Sequence, residues 1–331
     1  MIERTFTTEP LTTILAHVQA RLEAGDRELA LVVTDPAQGV GRFAGEAIEV
    51  DGEARVHRPM RVWAELADRL RLRLLALDRL PGGWLRLTLA RLDEAARVDG
   101  DPGTEKYGAE SSYARISKLD DPGFVLDVAD ALARAKLAAD ARVLDLGCNR
   151  GDLFALIADL RPDLGAQGSF VGVDHSESAL ALARAGAGPG RRRYVCADLA
   201  ELPTLELGRF DLVTCIGTMQ SPGVDDRKLL EHVVRERLAP GGSLIIGVPN
   251  CCYVDGELLH GARTRNFTQP ELGLLIKHVA YYKRYLQQHN RRVFVTGRNY
   301  VLVTATPYAQ ASGTKTAPGG ASASGHSVSS S

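Results

Sequence analysis

The sequence predicts an α/β fold: a mostly parallel sheet closed by an antiparallel hairpin and preceded by a small α+β unit. Three observations carry that prediction. Between about residues 143 and 248, short apolar runs alternate with segments of helical spacing, the pattern of parallel strands joined by crossover helices. Two later strand-like runs, 292–296 and 300–304, are separated only by Gly297-Arg298-Asn299, a link that permits a hairpin but no crossover helix. Residues 1–98 follow neither rule, mixing short strands, turn formers and two amphipathic stretches.

The elements follow in order. Leu11, Ile14, Leu15, Val18 and Leu22 recur at helical spacing over residues 9–24, and Gly25-Asp26 ends that helix. Strand-like runs come at 29–33, then at 47–50 and 54–57 around Asp51-Gly52, a pair that favours a tight hairpin. Residues 61–70 return to helical spacing, and 72–77 and 84–92 read as strands flanking Pro81-Gly82-Gly83. Both tryptophans, Trp63 and Trp84, are expected in the core of this unit. The turn formers of residues 99–104 set a boundary between a domain at 1–98 and a second at 105–307.

The second domain opens with Lys106-Tyr107-Gly108 and Tyr113-Ala114-Arg115, then a helical stretch at 124–137. Residues 143–152, V-L-D-L-G-C-N-R-G-D, join a short strand to a helix through a glycine-bearing turn. Gly147 and Gly151 allow positive φ or a close ligand approach, and Asn149 is of the non-glycine type that best tolerates the left-handed region. Leu153, Leu156, Ile157 and Leu160 continue a helix that Pro162 is expected to stop. Strands are expected at 169–173, 194–196, 210–216 and 243–248, with helices at 176–185, capped by Ser176, at 225–238 and at 270–289. Residues 238–242, L-A-P-G-G, read as the turn before the fifth strand, and Leu275, Val279, Tyr282 and Leu286 as the buried face of the last helix. Residues 308–331, rich in Ser, Ala, Gly and Thr, are expected to be disordered.

Forty Lys and Arg oppose 41 Asp and Glu, so the chain has no global positive field of the kind that marks many nucleic-acid binders. The five cysteines, 148, 196, 215, 251 and 252, show no ligand spacing, which argues against zinc and for a reduced, cytoplasmic compartment. No apolar run reaches bilayer-spanning length, and residues 1–20 lack the apolar core of an export signal.

Open α/β sheets bind ligands beyond the carboxyl ends of their strands. A dinucleotide loop would read G-x-G-x-x-G, whereas Gly147, Asn149 and Gly151 fall two apart, which weakens a nicotinamide reading. That loop, Asp174 in G-V-D-H-S, Asp198 in C-A-D-L, F-D-L-V at 210–213 and L-x-P-G-G at 238–242 together resemble the class I S-adenosylmethionine-dependent methyltransferases, over about residues 106 to 306. Asp145, Gly147 and Gly151 match that family's D/E-x-G-x-G-x-G, with Asn149 standing where the middle glycine usually is. The resemblance implies a seven-stranded, mostly parallel sheet and S-adenosyl-L-methionine as cofactor, held by Asp145, Gly147, Asn149 and Gly151 of the loop. It further implies Asp174 on the ribose hydroxyls, Asp198 on the adenine amino group, Leu199 against the ring, and Arg115 on the methionyl carboxylate.

Chemistry is expected beside residues 217–221, which lack the D/N-P-P-Y/F signature of base- or glutamine-methylating enzymes. Cys215 lies within a strand, and Cys251 and Cys252 follow the fifth strand without a catalytic pattern. The leading reading is direct SN2 transfer to an O, N or C nucleophile of a small molecule, with Tyr253, Glu257 and His260 as candidate bases. The second is an RNA methyltransferase, suggested by Lys277, Tyr281, Arg284, Tyr285 and Gln288 on the last helix with Arg291, Arg292 and Arg298 beyond it. A non-catalytic cofactor-binding module is the third, motivated by Asn149 and the lack of an evident base. Residues 1–98 would shape substrate access or a homo-oligomer interface.

Overall fold

The computed structural model describes residues 2–91, 117–186, 188, 190–221, 223–249, 253–254, 257–258, 272–297 and 300–308. The expected boundary at 99–104, the segment holding Arg115, Cys251, Cys252, His260 and the tail beyond residue 308 lie outside them.

The N-terminal unit runs β1 (Ile2–Thr5), α1 (Leu11–Glu23), β2 (Glu28–Thr34), β3 (Ala47–Val50), β4 (Glu53–Val56), α2 (Met60–Leu70), β5 (Leu72–Leu80) and β6 (Trp84–Arg91). Its main sheet has the order β1-β2-β6-β5, and β3 and β4 form a separate hairpin. That hairpin turns through Asp51 (φ 53°) and Gly52 (φ 82°), the paired positive φ that favours Asp-Gly. Ile14 and Val18 of α1 and Trp63, Leu66 and Ala67 of α2 pack on Leu29, Leu31, Val33 and Leu87 of the sheet. The sequence reading missed β1, whose four residues are all exposed and so carry no alternation, although they pair in parallel with β2. Trp63 is in the core as expected, but Trp84 is not: half-buried at the start of β6, it has the Arg55 guanidinium 3.7 Å from its ring centroid. Arg55 also donates to Gly82 O at 2.7 Å, so the tryptophan helps to clamp a turn.

The C-terminal unit runs α3 (Pro122–Ala135), β7 (Arg142–Leu146), α4 (Asp152–Leu160), α5 (Pro162–Gln167), β8 (Ser169–Asp174), α6 (Glu177–Ala185), β9 (Arg191–Cys196), β10 (Phe210–Ile216), α7 (Asp226–His232), β11 (Leu238–Pro249), β12 (Tyr253–Val254), β13 (Glu257–Leu258), α8 (Leu272–Gln288), β14 (Arg291–Gly297) and β15 (Tyr300–Pro307). Its sheet has seven strands in the order β14-β15-β11-β10-β7-β8-β9. Strands β7 to β11 are mutually parallel, and β15 is antiparallel to both β11 and β14, which gives the expected hairpin ending. From β7 the chain moves outward through β8 and β9, then returns to place β10 on the other side of β7. The strand order therefore switches between β7 and β10, where open sheets leave a crevice at the carboxyl ends.

Two apolar layers hold this sheet. On one face Tyr282 and Leu286 of α8 and Leu229 and Leu230 of α7 pack on Leu144, Val213 and Ile246. On the other, Phe124 and Val128 of α3 and Leu153, Phe154 and Ile157 of α4 pack on Val143, Leu212 and Ile245. Tyr282 and Leu286 are fully buried, while Leu275 and Val279 are half-buried on the same stripe.

Helix α4 ends at Leu160, just before Pro162, as expected, and Pro162 then opens the short α5, because a residue without an N–H fits a helix's first position. Two sequence expectations need correction. Residues 238–242 belong to β11 rather than to a turn before it; the ladder pairs Phe210 with Leu238 and then Leu212 with Ser243, so 239–242 bulge from it. Strand β9 begins at Arg191, since three arginines on an edge strand conceal its apolar signal while discouraging further pairing.

Candidate active site

The carboxyl end of β7 passes directly into a turn whose conformation answers its composition. Gly147 (φ 75°), Asn149 (φ 47°) and Gly151 (φ 82°) are all left-handed, so the asparagine adopts the conformation that a glycine would take there at lower cost. Gly147 N and Cys148 N both donate to Val173 O, at 2.8 and 3.2 Å, tying the turn to the neighbouring strand β8. Gly151 N closes the turn on Cys148 O at 2.9 Å, and α4 starts at the next residue.

Asp174, at the end of β8, faces this turn. Its Oδ2 accepts from Asn149 N at 2.8 Å and its Oδ1 from Ser176 N at 3.0 Å. A carboxylate offers about four acceptor positions, so the two backbone amides orient the group and leave each oxygen able to accept again. His175 lies beside it, with Nδ1 3.4 Å from Asp174 Oδ1. One strand further along, Asp198 is exposed and accepts from Ala200 N at 2.8 Å, and Leu199 beside it is half-buried. Asp174, Asp198 and the turn thus occupy three successive strand ends.

Asp145 has a different setting. It is 3% exposed, within β7, and Thr214 Oγ1 of β10 donates to its Oδ1 at 2.7 Å. Burial raises this carboxyl from an ordinary 3.8 to about 6, against the opposing hydrogen bond from Thr214. It therefore supports the turn from within the sheet, at the strand pair where the order switches.

The loop after β10 comes down onto the same turn. A Cβ added at Gly147 would lie 2.1 Å from Thr218 Oγ1, so the glycine makes room for the threonine as well as taking positive φ. Gly147→Ala is expected to lower unfolding stability by about 2 kcal/mol, with part of the loss recovered in a Thr218→Ala background. Urea melts of the two single variants and the double variant check this; an unperturbed Gly147→Ala would refute the contact.

Cys148 and Cys215 are buried, and burial pushes both thiols up, so neither is an activated nucleophile. Among the described residues no cluster of His, Cys, Asp or Glu could hold a metal ion, and no helix is long and apolar enough to cross a membrane. Tyr253 and Glu257 stand on the two short paired strands β12 and β13 beyond β11. The tyrosines of the expected RNA-binding helix are engaged elsewhere: Tyr281 and Tyr285 are half-buried against the core and 6.1 Å apart in a stacked pair, with Arg227 over Tyr281. Lys277, Lys283 and Arg284 remain exposed on α8.

Sequence reasoning missed one constellation. Tyr282 OH donates to Asp226 Oδ2 at 2.7 Å, His278 Nδ1 lies 2.9 Å from the same oxygen, and Gln220 Nε2 donates to Tyr282 OH at 3.1 Å. The only sequence signal was the i, i+4 spacing of His278 and Tyr282, which the apolar stripe of α8 explains equally well.

Residues 143–242 match the family model of a methyltransferase domain. The chain is 38% identical over 150 residues to a trans-aconitate 2-methyltransferase of Streptomyces avermitilis, covering 42% of this chain and 52% of that protein. A second trans-aconitate 2-methyltransferase, from Variovorax paradoxus, is 34% identical over 121 residues, covering 37% of this chain and 43% of that protein. The chain thus spans about half the length of the curated relatives it matches. A solved S-adenosylmethionine-dependent methyltransferase from Aquifex aeolicus aligns with a TM-score of 0.42 at 19% identity, covering 58% of this chain and 96% of that one.

Proposed function

We propose that this chain, which carries a class I S-adenosylmethionine-dependent methyltransferase domain, transfers a methyl group to a small molecule by direct displacement. The observation that carries this reading is the Asp174 carboxylate, oriented by two backbone amides beside a left-handed turn at the switch point of the sheet. The donor set suits the cofactor: a carboxylate with a remaining acceptor position on each oxygen matches the two adjacent ribose hydroxyls, and a turn with small residues at 147 and 151 lets backbone approach a ligand closely.

Asp174 would hold the ribose, Asp198 and Leu199 the adenine, the turn 147–151 the methionyl portion, and Arg115 its carboxylate. S-Adenosylmethionine supplies an electrophilic methyl group on a sulfonium. The chain's own contribution is to align an acceptor beside residues 217–221 and to exclude water, and such alignment can lower the barrier by several kcal/mol. Residues 1–98 would form a separate domain that shapes access to the acceptor site. In support, α2 of the N-terminal unit lies against β12, just beyond the strand end at which that site opens. The curated relatives are named for trans-aconitate, a small carboxylic acid, which favours a small acceptor over RNA.

The test combines calorimetry with S-adenosylhomocysteine and label transfer from methyl-labelled S-adenosylmethionine, with trans-aconitate as the first acceptor and a low-molecular-mass cell extract as the second. Binding near micromolar, about 8 kcal/mol, with label entering the small-molecule fraction is the expected result. Binding without transfer would leave a non-catalytic module, and no binding would end the reading.

A further inference from the structure

Resting on that reading, we propose that His278 is the proton acceptor of this site, held by Asp226, Tyr282 and Gln220, and that the methyl acceptor is a protic nucleophile, a hydroxyl or amino group. Topology brings the cluster to the end of the sheet where the acceptor belongs. Gln220 is in the loop that leaves β10, and Asp226 is the first residue of α7, which follows that loop. Helix α8 starts from the same end, because β11 runs parallel to β10, and His278 sits within its first two turns.

The hydrogen bonds then assign roles. Tyr282 is fully buried, and burial followed by its bond to Asp226 raises the phenol well above its ordinary value, so it stays protonated and donates. Gln220 donates to the same phenol oxygen and ties it to the loop. Asp226 Oδ2, accepting from Tyr282, also meets His278 Nδ1, which fixes the proton of a neutral imidazole on Nδ1 and leaves Nε2 as a base. Nε2 has no hydrogen-bond partner among the described residues, and the side chain is 32% exposed. Asp226 of α7 and Tyr282 of α8 are the titratable groups that face the ring among those residues.

In the step, a lone pair on the acceptor oxygen or nitrogen forms the new bond to the methyl carbon. The carbon–sulfur bond breaks with its electron pair going to sulfur, and the acceptor's proton passes to His278 Nε2, giving an imidazolium stabilised by Asp226. A carboxylate acceptor has no proton to lose and would make the pair redundant. His278 is thus the catalytic group, and the other three are positioning residues.

The test begins without substrate. Nitrogen-15 NMR of histidine-labelled full-length protein, with the signal assigned by its absence in His278→Gln, should find neutral His278 protonated on Nδ1 and bare on Nε2, with Asp226→Asn shifting that tautomer balance. With S-adenosylhomocysteine binding intact, His278→Gln should slow transfer to a protic acceptor found in the extract by roughly a hundredfold and remove the acidic limb of its pH profile. A neutral His278 protonated on Nε2, or unaltered turnover and pH profile in the variant, would overturn the inference. Loss of S-adenosylhomocysteine binding by the wild type would instead overturn the cofactor reading beneath it.

Discussion

Asp174→Ala is expected to weaken S-adenosylhomocysteine binding by roughly a hundredfold or more, about 3 kcal/mol, because two hydrogen bonds to a charged acceptor disappear together. The same substitution strips Asn149 N and Ser176 N of their partner, so the turn loses its tie to the end of β8 as well. Asp174→Asn separates the two effects. Its amide retains one oxygen, which can still serve one backbone N–H or one hydroxyl, but it brings an NH₂ toward the other. Calorimetry on all three proteins, with thermal melts alongside, should rank binding as wild type, then Asn, then Ala. Binding by Asp174→Ala within threefold of wild type would remove Asp174 from the cofactor site and shift attention to Asp198.

What the sequence made legible is the part governed by local rules. The turn at 147–151 was readable because positive φ selects Gly and Asn, and the structure has all three residues there in the left-handed region. The hairpin of β14 and β15 followed from a three-residue link, and the buried stripe of α8 from periodicity. What escaped was set by tertiary partners. Strand β1 is exposed at every residue and exists through its pairing with β2. Asp145 read correctly as the acid at the strand's end, but its partner Thr214, 69 positions away in sequence, was not legible. The group of Gln220, Asp226, His278 and Tyr282 was invisible for the same reason, since it assembles from a loop and two helices.

Asp145 supplies the second large expected effect. In the unfolded chain its carboxyl titrates near the ordinary 3.8, and in the fold burial raises it to about 6. Between those values the native state holds a proton that the unfolded chain has released. The group therefore favours the native state at low pH, and this contribution is lost as pH rises through about 6. Two pKa units correspond to about 3 kcal/mol, the order of magnitude by which an ionised Asp145 destabilises the fold at neutral pH. Asp145→Asn removes the ionisation while keeping an oxygen to accept from Thr214. In urea melts the stability difference between Asp145→Asn and wild type should accordingly grow in the variant's favour by about 2–3 kcal/mol from pH 4 to pH 7. Other carboxylates titrate over the same range in both proteins, and the comparison cancels them. A difference that stays flat with pH would mean that Asp145 is not the buried titrating group at the strand switch. A growing difference would make β7 a strand that carries an unfavourable charge beneath the turn at neutral pH, where a wholly apolar strand would be more stable.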